Sequence, residues 1–338
     1  MSNTLLVTGG AGYIGSHFVL EALNRGYKVV VIDNLSRTTN KNIQTLLNMF
    51  PDSLTFIQFD LTNQITSDIF SKLEGIKAIF HFAALKSVGE SVVLSDLYYS
   101  NNINSLINVV NIAKNVNCRK IVFSSTASVY GNTDDKPVTE DCPVNPENPY
   151  AFSKLFCEQI LKDAYKSYAI SAISLRYFNV VGSDRNCVVG DCTKQPQNLV
   201  PIVIMSDLGL IQNKIKIFGN DYLTRDGTAI RDYIDIKDLV EGHFLANEYL
   251  NTFEGFDVFN LGTGVGTTVL EVIKTYQEVK GSSVSYEFAN RRPGDVVFST
   301  ADYRKAKNLL NWSPRISLYE SISNMYRWYL QNKKEFVN

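Results

Sequence analysis

The chain has 338 residues, of which 45% are hydrophobic, 12% aromatic and 20% charged, a composition typical of a folded protein with a large core. Its 33 basic and 34 acidic residues give a net charge of −1 without a basic tail, which argues against non-specific nucleic-acid binding. No stretch approaches the ~18 apolar residues of a membrane span, and the N-terminal residues lack the features of a signal peptide.

The cysteine content points in the same direction. Five cysteines, an odd number scattered along a long chain, do not form the pattern of a disulfide framework. Cys187 and Cys192 have no second pair of ligands near them, so no zinc site is predicted. We therefore expect a cytoplasmic globular protein that binds no metal.

The first half of the chain alternates strand-like and helix-like segments. Apolar, β-branched runs predict strands at 4–8, 28–32, 54–58, 78–82, 119–124 and 171–177. Helical periodicity appears between them, for example at 13–25, 97–115 and 150–168. Strands separated by helices of this length are joined by right-handed crossovers, which predicts an α/β fold with a doubly wound parallel sheet.

After about residue 180 this alternation ends. The segment 182–201 is rich in Gly, Asp, Asn and Cys and is predicted to be a long loop. Shorter strands follow at 214–218, 229–234, 257–261 and 284–288, with helices near 236–250, 267–279, 303–310 and 317–331. We predict a larger domain over 1–180 and a second, smaller mixed α/β domain over 181–338. This boundary is soft, because later segments can return to the first sheet.

A glycine-rich turn follows the first predicted strand. Residues 9–15 read Gly-Gly-Ala-Gly-Tyr-Ile-Gly and lead into a predicted helix. In this context the turn lets the backbone approach a pyrophosphate whose charge faces the helix N-terminus. The second strand ends at Asp33, where an acidic side chain binds ribose hydroxyls and repels a 2′-phosphate. The pattern predicts NAD rather than NADP, a preference that Arg37 weakens without reversing; a purely structural turn is the alternative.

Tyr150 and Lys154 stand four residues apart in a predicted helix, so their side chains share one face. A free tyrosine has a pKa near 10, which a nearby ammonium and a positive nicotinamide ring would lower. The resulting tyrosinate would accept a hydroxyl proton while hydride leaves the same carbon. Thr126 falls at the carboxyl end of a strand, where ligands bind in such sheets. We predict that these three residues are catalytic; a surface pair and a turn threonine are the alternatives.

Eight different motifs are distributed over essentially the whole chain. They are VTGGAGYIGSH at 7–17, DNL at 33–35, FAALKSVGES at 82–91, FSSTASVYG at 123–131, NPYAFSK at 148–154, LRYFN at 175–179, FGNDYLTRDGTAIRDYI at 218–234 and RRPGD at 291–295. Together they resemble the extended short-chain dehydrogenase/reductases and, within them, the UDP-glucose (UDP-galactose) 4-epimerases.

The resemblance implies a Rossmann fold and a redox-neutral isomerase cycle. Tyr150, assisted by Thr126, would deprotonate the 4-hydroxyl of a UDP-sugar while hydride passes to tightly bound NAD. The transient 4-keto sugar would then turn over, and hydride would return to its other face. The resemblance also implies a homodimer in which the helices at 97–115 and 150–168 pair with their mates.

Two sets of binding residues are implied by the same resemblance. For NAD they are Gly9, Gly12, Tyr13, Ile14, Gly15, Asp33, Asn34, Asp60, Leu61, Phe82, Ala83, Lys86, Asn101, Ser124, Tyr150, Lys154 and Tyr177. For the UDP-sugar they are Lys86, Thr126, Tyr150, Asn179, Asn198, Leu199, Phe218, Arg231, Arg292, Asp295 and Ser299. Two arginines suit a diphosphate, because each offers paired donors.

The chain departs from the family pattern in three places. Thr126 replaces the usual serine, and the segment 180–187 leaves the usual Asn-Pro-Val-Gly pattern, which leaves the hexose contacts there open. Ser299 stands where a bulky tyrosine restricts other members to plain hexoses. A small residue leaves room for an N-acetyl group, which predicts action on UDP-GlcNAc and UDP-GalNAc as well. The alternative is that another side chain, such as Phe298, fills the space.

Rival activities on the same fold are nucleotide-sugar 4,6-dehydratases and UDP-glucuronate decarboxylases. Dehydratases carry an Asp-Glu pair directly after the threonine, and decarboxylases carry a glutamate in the same stretch. Here those positions are Ala127 and Ser128, which cannot act as acid or base. A non-catalytic NAD-binding protein is a further alternative, although binding alone does not require both Tyr150 and Lys154.

Overall fold

The computed structural model describes residues 3–133, 135–193, 195–212, 214–292 and 296–336. The strands are β1 (Thr4–Thr8), β2 (Lys28–Asp33), β3 (Leu54–Gln58), β4 (Ile76–His81), β5 (Lys120–Ser124), β6 (Ser171–Tyr177), β7 (Asn179–Val181), β8 (Ile215–Phe218), β9 (Ile230–Asp235), β10 (Phe256–Leu261), β11 (Gly266–Thr268), β12 (Tyr286–Ala289) and β13 (Phe298–Ser299). The α-helices are α1 (Tyr13–Asn24), α2 (Lys41–Met49), α3 (Ser67–Ser71), α4 (Val88–Val93), α5 (Ser95–Asn115), α6 (Pro149–Tyr168), α7 (Leu199–Asp207), α8 (Ile236–Tyr249), α9 (Val269–Lys280), α10 (Arg304–Leu310) and α11 (Leu318–Gln331). Short 3₁₀ helices span Ala127–Tyr130 and Lys333–Glu335.

The centre of the fold is a seven-stranded sheet in the order β10-β6-β5-β4-β1-β2-β3. Every neighbouring pair in it is parallel. Both faces are covered: Leu5 and Val7 point into one hydrophobic cluster, and Leu6 points into the other. Continuous apolar runs are what a strand buried on both faces requires. The predicted α/β class with a doubly wound parallel sheet is confirmed.

The second half of the chain contributes to the same core. Strand β10 pairs with β6, and α8 packs against α1 and the sheet. Phe18 of α1 lies between Phe80 of β4 and Phe244 of α8, with ring centroids 4.1 and 4.6 Å away. The division of the chain at residue 180 remains a prediction about domains, because these contacts cross it.

Smaller sheets build the region beyond the central sheet. Strand β9 lies between β11 and β13 and also pairs with β7, while β8 pairs with β12. The predicted loop at 182–201 was wrong at its end, because α7 begins at Leu199. Asn198 is extended and allows the helix to start there, a change of backbone direction that the polar composition of the segment did not reveal.

Two structural facts concern the environment of the chain. All five cysteines carry free thiols. Within the ranges given above, none of the helices combines the length and apolar character that a membrane crossing needs.

Candidate active site

The glycine turn lies between β1 and α1, at the point in the sheet where β1 and β4 are neighbours. Gly9 has φ +72°, and a Cβ built there would lie 2.6 Å from the backbone nitrogen of Ala83. A Cβ on Gly15 would lie 2.2 Å from the carbonyl oxygen of Gly9. Neither position accepts a side chain, so both residues must be glycine for the turn to pack this closely, as in dinucleotide-binding turns.

The carboxylate of Asp33 closes the turn from the end of β2. It accepts hydrogen bonds from the backbone N–H groups of Ala11 at 3.0 Å and Leu35 at 2.8 Å. Burial raises the pKa of Asp33, and these backbone donors oppose the rise. Beside it, the Asn34 side chain donates to the Asp60 carboxylate at 3.0 Å, which joins the ends of β2 and β3. The acidic edge fits the ribose hydroxyls of a dinucleotide.

A cleft of about 360 Å³ runs from this edge to the end of β5, a volume within the usual range for a small-molecule site. Its walls include every residue that the sequence predicted for NAD: Gly9, Gly12, Tyr13, Ile14, Gly15, Asp33, Asn34, Asp60, Leu61, Phe82, Ala83, Lys86, Asn101, Ser124, Tyr150, Lys154 and Tyr177. The structure therefore brings these residues together around one cavity. The glycine cradle and Asp33 fit a dinucleotide, although the individual contacts remain predictions.

Helix α6 presents Tyr150 to the cleft from its first turn. The helix starts there because Asn148 accepts a hydrogen bond from the Ala151 backbone at 3.0 Å and Pro149 occupies the first helical position. The Thr126 side chain lies near the Tyr150 hydroxyl. Burial raises the pKa of Tyr150 to about 12, and the interaction with Thr126 opposes that rise.

Lys154 lies one turn further along α6, and it too is buried. Its ammonium donates to the carbonyl oxygen of Ser124 at 2.7 Å and lies 4.8 Å from the centre of the Phe123 ring. Burial lowers the pKa of Lys154 to about 8, and the nearby Glu158 carboxylate opposes that fall. The expected lowering of the Tyr150 pKa by Lys154 is absent from the protein alone, where burial dominates.

Several residues around the cleft escaped the sequence analysis. The Ser87 hydroxyl donates to the Gln197 side chain, and the Tyr98 hydroxyl donates to Glu90 at 2.7 Å. Arg37, considered earlier only for its charge, donates to Glu90 at 2.9 Å. Ser87 and Glu90 have the spacing of a helix start, and Ser87 does cap α4, but that signal does not indicate a ligand.

The residues predicted to bind the UDP-sugar form separate groups. Asn179 begins β7, which pairs with β9, and Ser299 of β13 lies opposite Arg231 of β9. The guanidinium of Arg292 lies 3.7 Å from the centre of the Phe218 ring.

The remaining substrate residues lie elsewhere. Asn198 lines the cleft and directly precedes α7, whose first residue is Leu199. Lys86 and Tyr150 also line the cleft, and Thr126 lies beside Tyr150. Asp295 lies outside the described residues. The part of the chain that the structure describes contains no group of three or more His, Cys, Asp or Glu that could hold a metal ion.

Comparison with known proteins relates this site to characterised enzymes. A family model described as GDP-mannose 4,6 dehydratase matches residues 6–325. A UDP-glucose 4-epimerase of Bacillus subtilis is 43% identical over 331 residues, which are 97% of this chain and 97% of that protein. The chain belongs to the UDP-glucose 4-epimerase family.

Solved structures of family members share the fold. The UDP-glucose 4-epimerase of Bifidobacterium longum, crystallised with NAD⁺ and UDP, superposes with a TM-score of 0.92 at 37% identity, covering 98% of this chain and 99% of that one. The UDP-Glc/GlcNAc 4-epimerase of Campylobacter jejuni has a TM-score of 0.82 at 34% identity, covering 97% and 99%. The resemblance stated from the sequence is confirmed, and the dehydratase model describes a related family.

Proposed function

We propose that this chain is an NAD-dependent epimerase that interconverts UDP-glucose and UDP-galactose. The proposal rests on the cleft that Asp33, Tyr150 and Lys154 line together, where the Thr126 side chain lies close enough to the Tyr150 hydroxyl to oppose the rise in its pKa. A phenol there is placed to exchange a proton with a sugar hydroxyl. The Bifidobacterium longum relative, crystallised with NAD⁺ and UDP, supports both ligands.

The cofactor part of the cleft supports NAD. Asp33 would hold the ribose, and the turn from Gly9 to Gly15 would hold the pyrophosphate next to the N-terminus of α1. When bound, NAD supplies the group that takes hydride from carbon 4 and gives it back. Because the cycle returns the hydride, no second redox substrate is needed.

Tyr150 moves the proton in both halves of this cycle. It accepts the proton of the 4-hydroxyl as the sugar is oxidised and returns it after the 4-keto sugar has turned over. Its pKa of about 12 must fall for this role; Thr126 opposes the rise, and the positive nicotinamide ring of bound NAD would lower the pKa further. Tyr177 beside it, hydrogen bonded to Ser124, has a pKa raised by burial and stays protonated.

The residues that follow Thr126 do not favour dehydration of a nucleotide sugar. Elimination of water requires an acid and a base next to Thr126, and the following positions are Ala127 and Ser128. The Ser128 side chain bonds to Thr126 instead, at 3.2 Å. The chain therefore has the groups for hydride transfer but lacks those for elimination at these positions.

The test is a pair of assays on purified protein, one with UDP-galactose and one with UDP-GalNAc, with products resolved by NMR. We expect conversion of UDP-galactose to UDP-glucose. A 4-keto-6-deoxy product would instead indicate a dehydratase. Bound NAD without any conversion would favour a non-catalytic NAD-binding protein.

We further propose that N-acetylated UDP-sugars are substrates. Ser299 is small and lies in β13 opposite Arg231, so a bulky 2-substituent near this strand meets no large side chain at that position. The Campylobacter jejuni relative is a UDP-Glc/GlcNAc 4-epimerase, which supports this range. The alternative, that Phe298 fills the space, predicts conversion of UDP-galactose alone in the paired assays.

A homodimer is our proposal for the assembly. Helices α5 and α6 pack against each other and leave four large apolar side chains exposed: Leu97, Ile107, Phe152 and Phe156. Exposed apolar surface on a helix pair is typical of protein interfaces. A second copy presenting the same helix pair would cover it with twofold symmetry.

A cytoplasmic location is likewise proposed. The five cysteines are free, and Cys142 and Cys187 remain partly accessible, as expected of a reducing compartment. Cell fractionation with an antibody against the chain tests the location.

A further inference from the structure

A buried ion pair lies directly behind the end of β5. Glu158 of α6 and Arg176 of β6 are 3% and 5% exposed. The guanidinium donates to both carboxylate oxygens, from Nε at 3.0 Å and from Nη2 at 2.5 Å. Burying two charges costs free energy that their attraction only partly returns, and apolar residues of similar size are often as stable. The pair therefore needs a reason other than stability.

Glu158 reaches the catalytic segment through Ser125. The Ser125 hydroxyl donates to Glu158 Oε1 at 2.6 Å, and Ser125 is 1% exposed. The next residue in the chain is Thr126, whose side chain lies close enough to the Tyr150 hydroxyl to influence its pKa. The carboxylate thus fixes the residue immediately before the catalytic threonine.

The other side of Thr126 is held by Arg176. Its guanidinium lies 4.9 Å from the centre of the Tyr130 ring, in the 3₁₀ helix Ala127–Tyr130 that follows Thr126. The Tyr130 hydroxyl donates to the Asn260 side chain at 2.7 Å, which anchors the ring from its far end. The ion pair therefore contacts the chain both before and after Thr126.

One face of α6 pairs with three consecutive residues at the end of β5. Lys154 donates to the Ser124 carbonyl, Glu158 accepts from the Ser125 hydroxyl, and Tyr150 lies beside Thr126. The helix residues are spaced by four, so their side chains lie in a row. The predicted catalytic residues Lys154 and Tyr150 contact the first and third of these three residues. Glu158 contacts the second, Ser125.

We propose that Glu158 and Arg176 are positioning residues that hold Thr126 against the Tyr150 hydroxyl. The inference rests on the proposed function, because it assigns Thr126 a part in proton exchange. Neither charged group lines the cofactor cleft, so the pair acts through Ser125 and Tyr130. Small displacements of a reacting group slow catalysis strongly, which gives such a support a measurable effect.

Two serines allow a matched test. Ser125 and Ser174 both donate to Glu158 Oε1, at 2.6 and 2.9 Å, and both are buried. Ser174 lies within β6, away from Thr126, so Ser174→Ala removes an equivalent hydrogen bond without releasing the threonine. We expect Ser125→Ala to lower kcat roughly tenfold with an unchanged KM for UDP-galactose, and Ser174→Ala to leave both unchanged. Melting temperatures control for folding.

A double variant identifies the route. If Ser125 acts through Thr126, then Ser125→Ala combined with Thr126→Ala lowers kcat no further than Thr126→Ala alone. Equal effects of the two serine variants, or a fully multiplicative double variant, would overturn the inference while leaving the epimerase activity intact. A wild-type protein that converts no UDP-galactose would overturn the proposed function, and this inference with it.

Discussion

The ammonium of Lys154 donates to the carbonyl oxygen of Ser124 at 2.7 Å, across 30 residues of chain. This contact fixes α6 against the end of β5 and keeps a charge in a buried place, where burial lowers the pKa of Lys154 to about 8. Tyr150 lies on the same helix, and burial raises its pKa to about 12. The site thus holds a lysine with a lowered pKa beside a tyrosine with a raised pKa. A charged ligand would change both pKa values.

Removal of the Tyr150 hydroxyl is expected to remove the proton acceptor without changing the packing of the ring. The ring packs with Leu85 and Tyr98, contacts that phenylalanine keeps. Tyr150→Phe should lower kcat by roughly 10²- to 10⁴-fold without changing the NAD content. Steady-state assays with UDP-galactose measure the effect, and Tyr168→Phe, an exposed position on the same helix, is the control. A variant with near wild-type kcat would exclude Tyr150 as the base.

A methyl group in the glycine turn is expected to abolish cofactor binding. In Gly15→Ala the new Cβ would meet the Gly9 carbonyl oxygen at 2.2 Å, which forces the turn apart. Gly89→Ala is the matched control, since a Cβ there meets nothing within 4 Å. NAD released from the denatured proteins should be absent from the first variant and unchanged in the second. Equal NAD content in both would mean that the turn does not hold the cofactor.

Local patterns in the sequence were enough to predict the glycine turn, Asp33 and the Tyr150–Lys154 pair, whereas the other residues of the cleft were implied by the family resemblance. The glycine turn, Asp33 and the Tyr150–Lys154 spacing each lie within one or two adjoining elements, so their geometry follows from strand and helix periodicity. Contacts between distant segments were not predictable in this way. The Ser87 bond to Gln197 spans 110 residues and depends on how the segment before α7 returns to the cleft.

The pKa values of the catalytic pair and the pairing of the edge strand β10 could not be predicted from the sequence either. Burial, which the sequence does not measure, sets the pKa of Tyr150 and of Lys154. The sequence placed strand β10 in the predicted second domain and left open a return to the first sheet, and the structure pairs it with β6 in the central sheet. Pairing partners of parallel strands are chosen by tertiary packing rather than by neighbouring residues.

The substrate range is expected to depend on the size of residue 299. Ser299→Tyr should abolish conversion of UDP-GalNAc and keep conversion of UDP-galactose, because only the former carries a bulky 2-substituent. Ser299→Ala keeps the position small and should retain both activities. Rates for the two sugars, measured side by side on each variant, give the comparison. An unchanged ratio in Ser299→Tyr would exclude this residue as the gate.

Protonation of His243 is expected to weaken the fold in acid. Its Nδ1 bonds to the Leu239 carbonyl at 2.8 Å, and its Nε2 has no hydrogen-bond partner among the described residues. Burial lowers the pKa of His243 from 6.5 to about 4. As pH falls through this window, the unfolded chain takes up the proton first, so the free energy of unfolding decreases.

The variant His243→Gln cannot take up that proton. Between pH 4 and 6.5, its unfolding free energy should fall less steeply than that of the wild type, by about 1.4 kcal/mol per pH unit. Urea unfolding across this range measures both slopes, and identical slopes would contradict the assignment.

The exposed helix pair is expected to form the dimer interface. Phe156→Glu places a charge on the apolar side of α6 and should convert dimers to monomers in light scattering after size exclusion. Leu309→Glu, at an exposed apolar position on α10, is the control and should remain dimeric. A monomeric wild type, or a Phe156→Glu protein that stays dimeric, would place the interface elsewhere or exclude it.

In the proposed cycle, hydride leaves carbon 4 and returns to the same carbon without exchange with solvent. UDP-galactose carrying deuterium at carbon 4 tests this cycle, with the purified protein and no added cofactor. We expect UDP-glucose that retains deuterium at carbon 4, read by NMR and mass spectrometry. Loss of the deuterium to solvent, or its transfer to another carbon, would contradict the proposed mechanism.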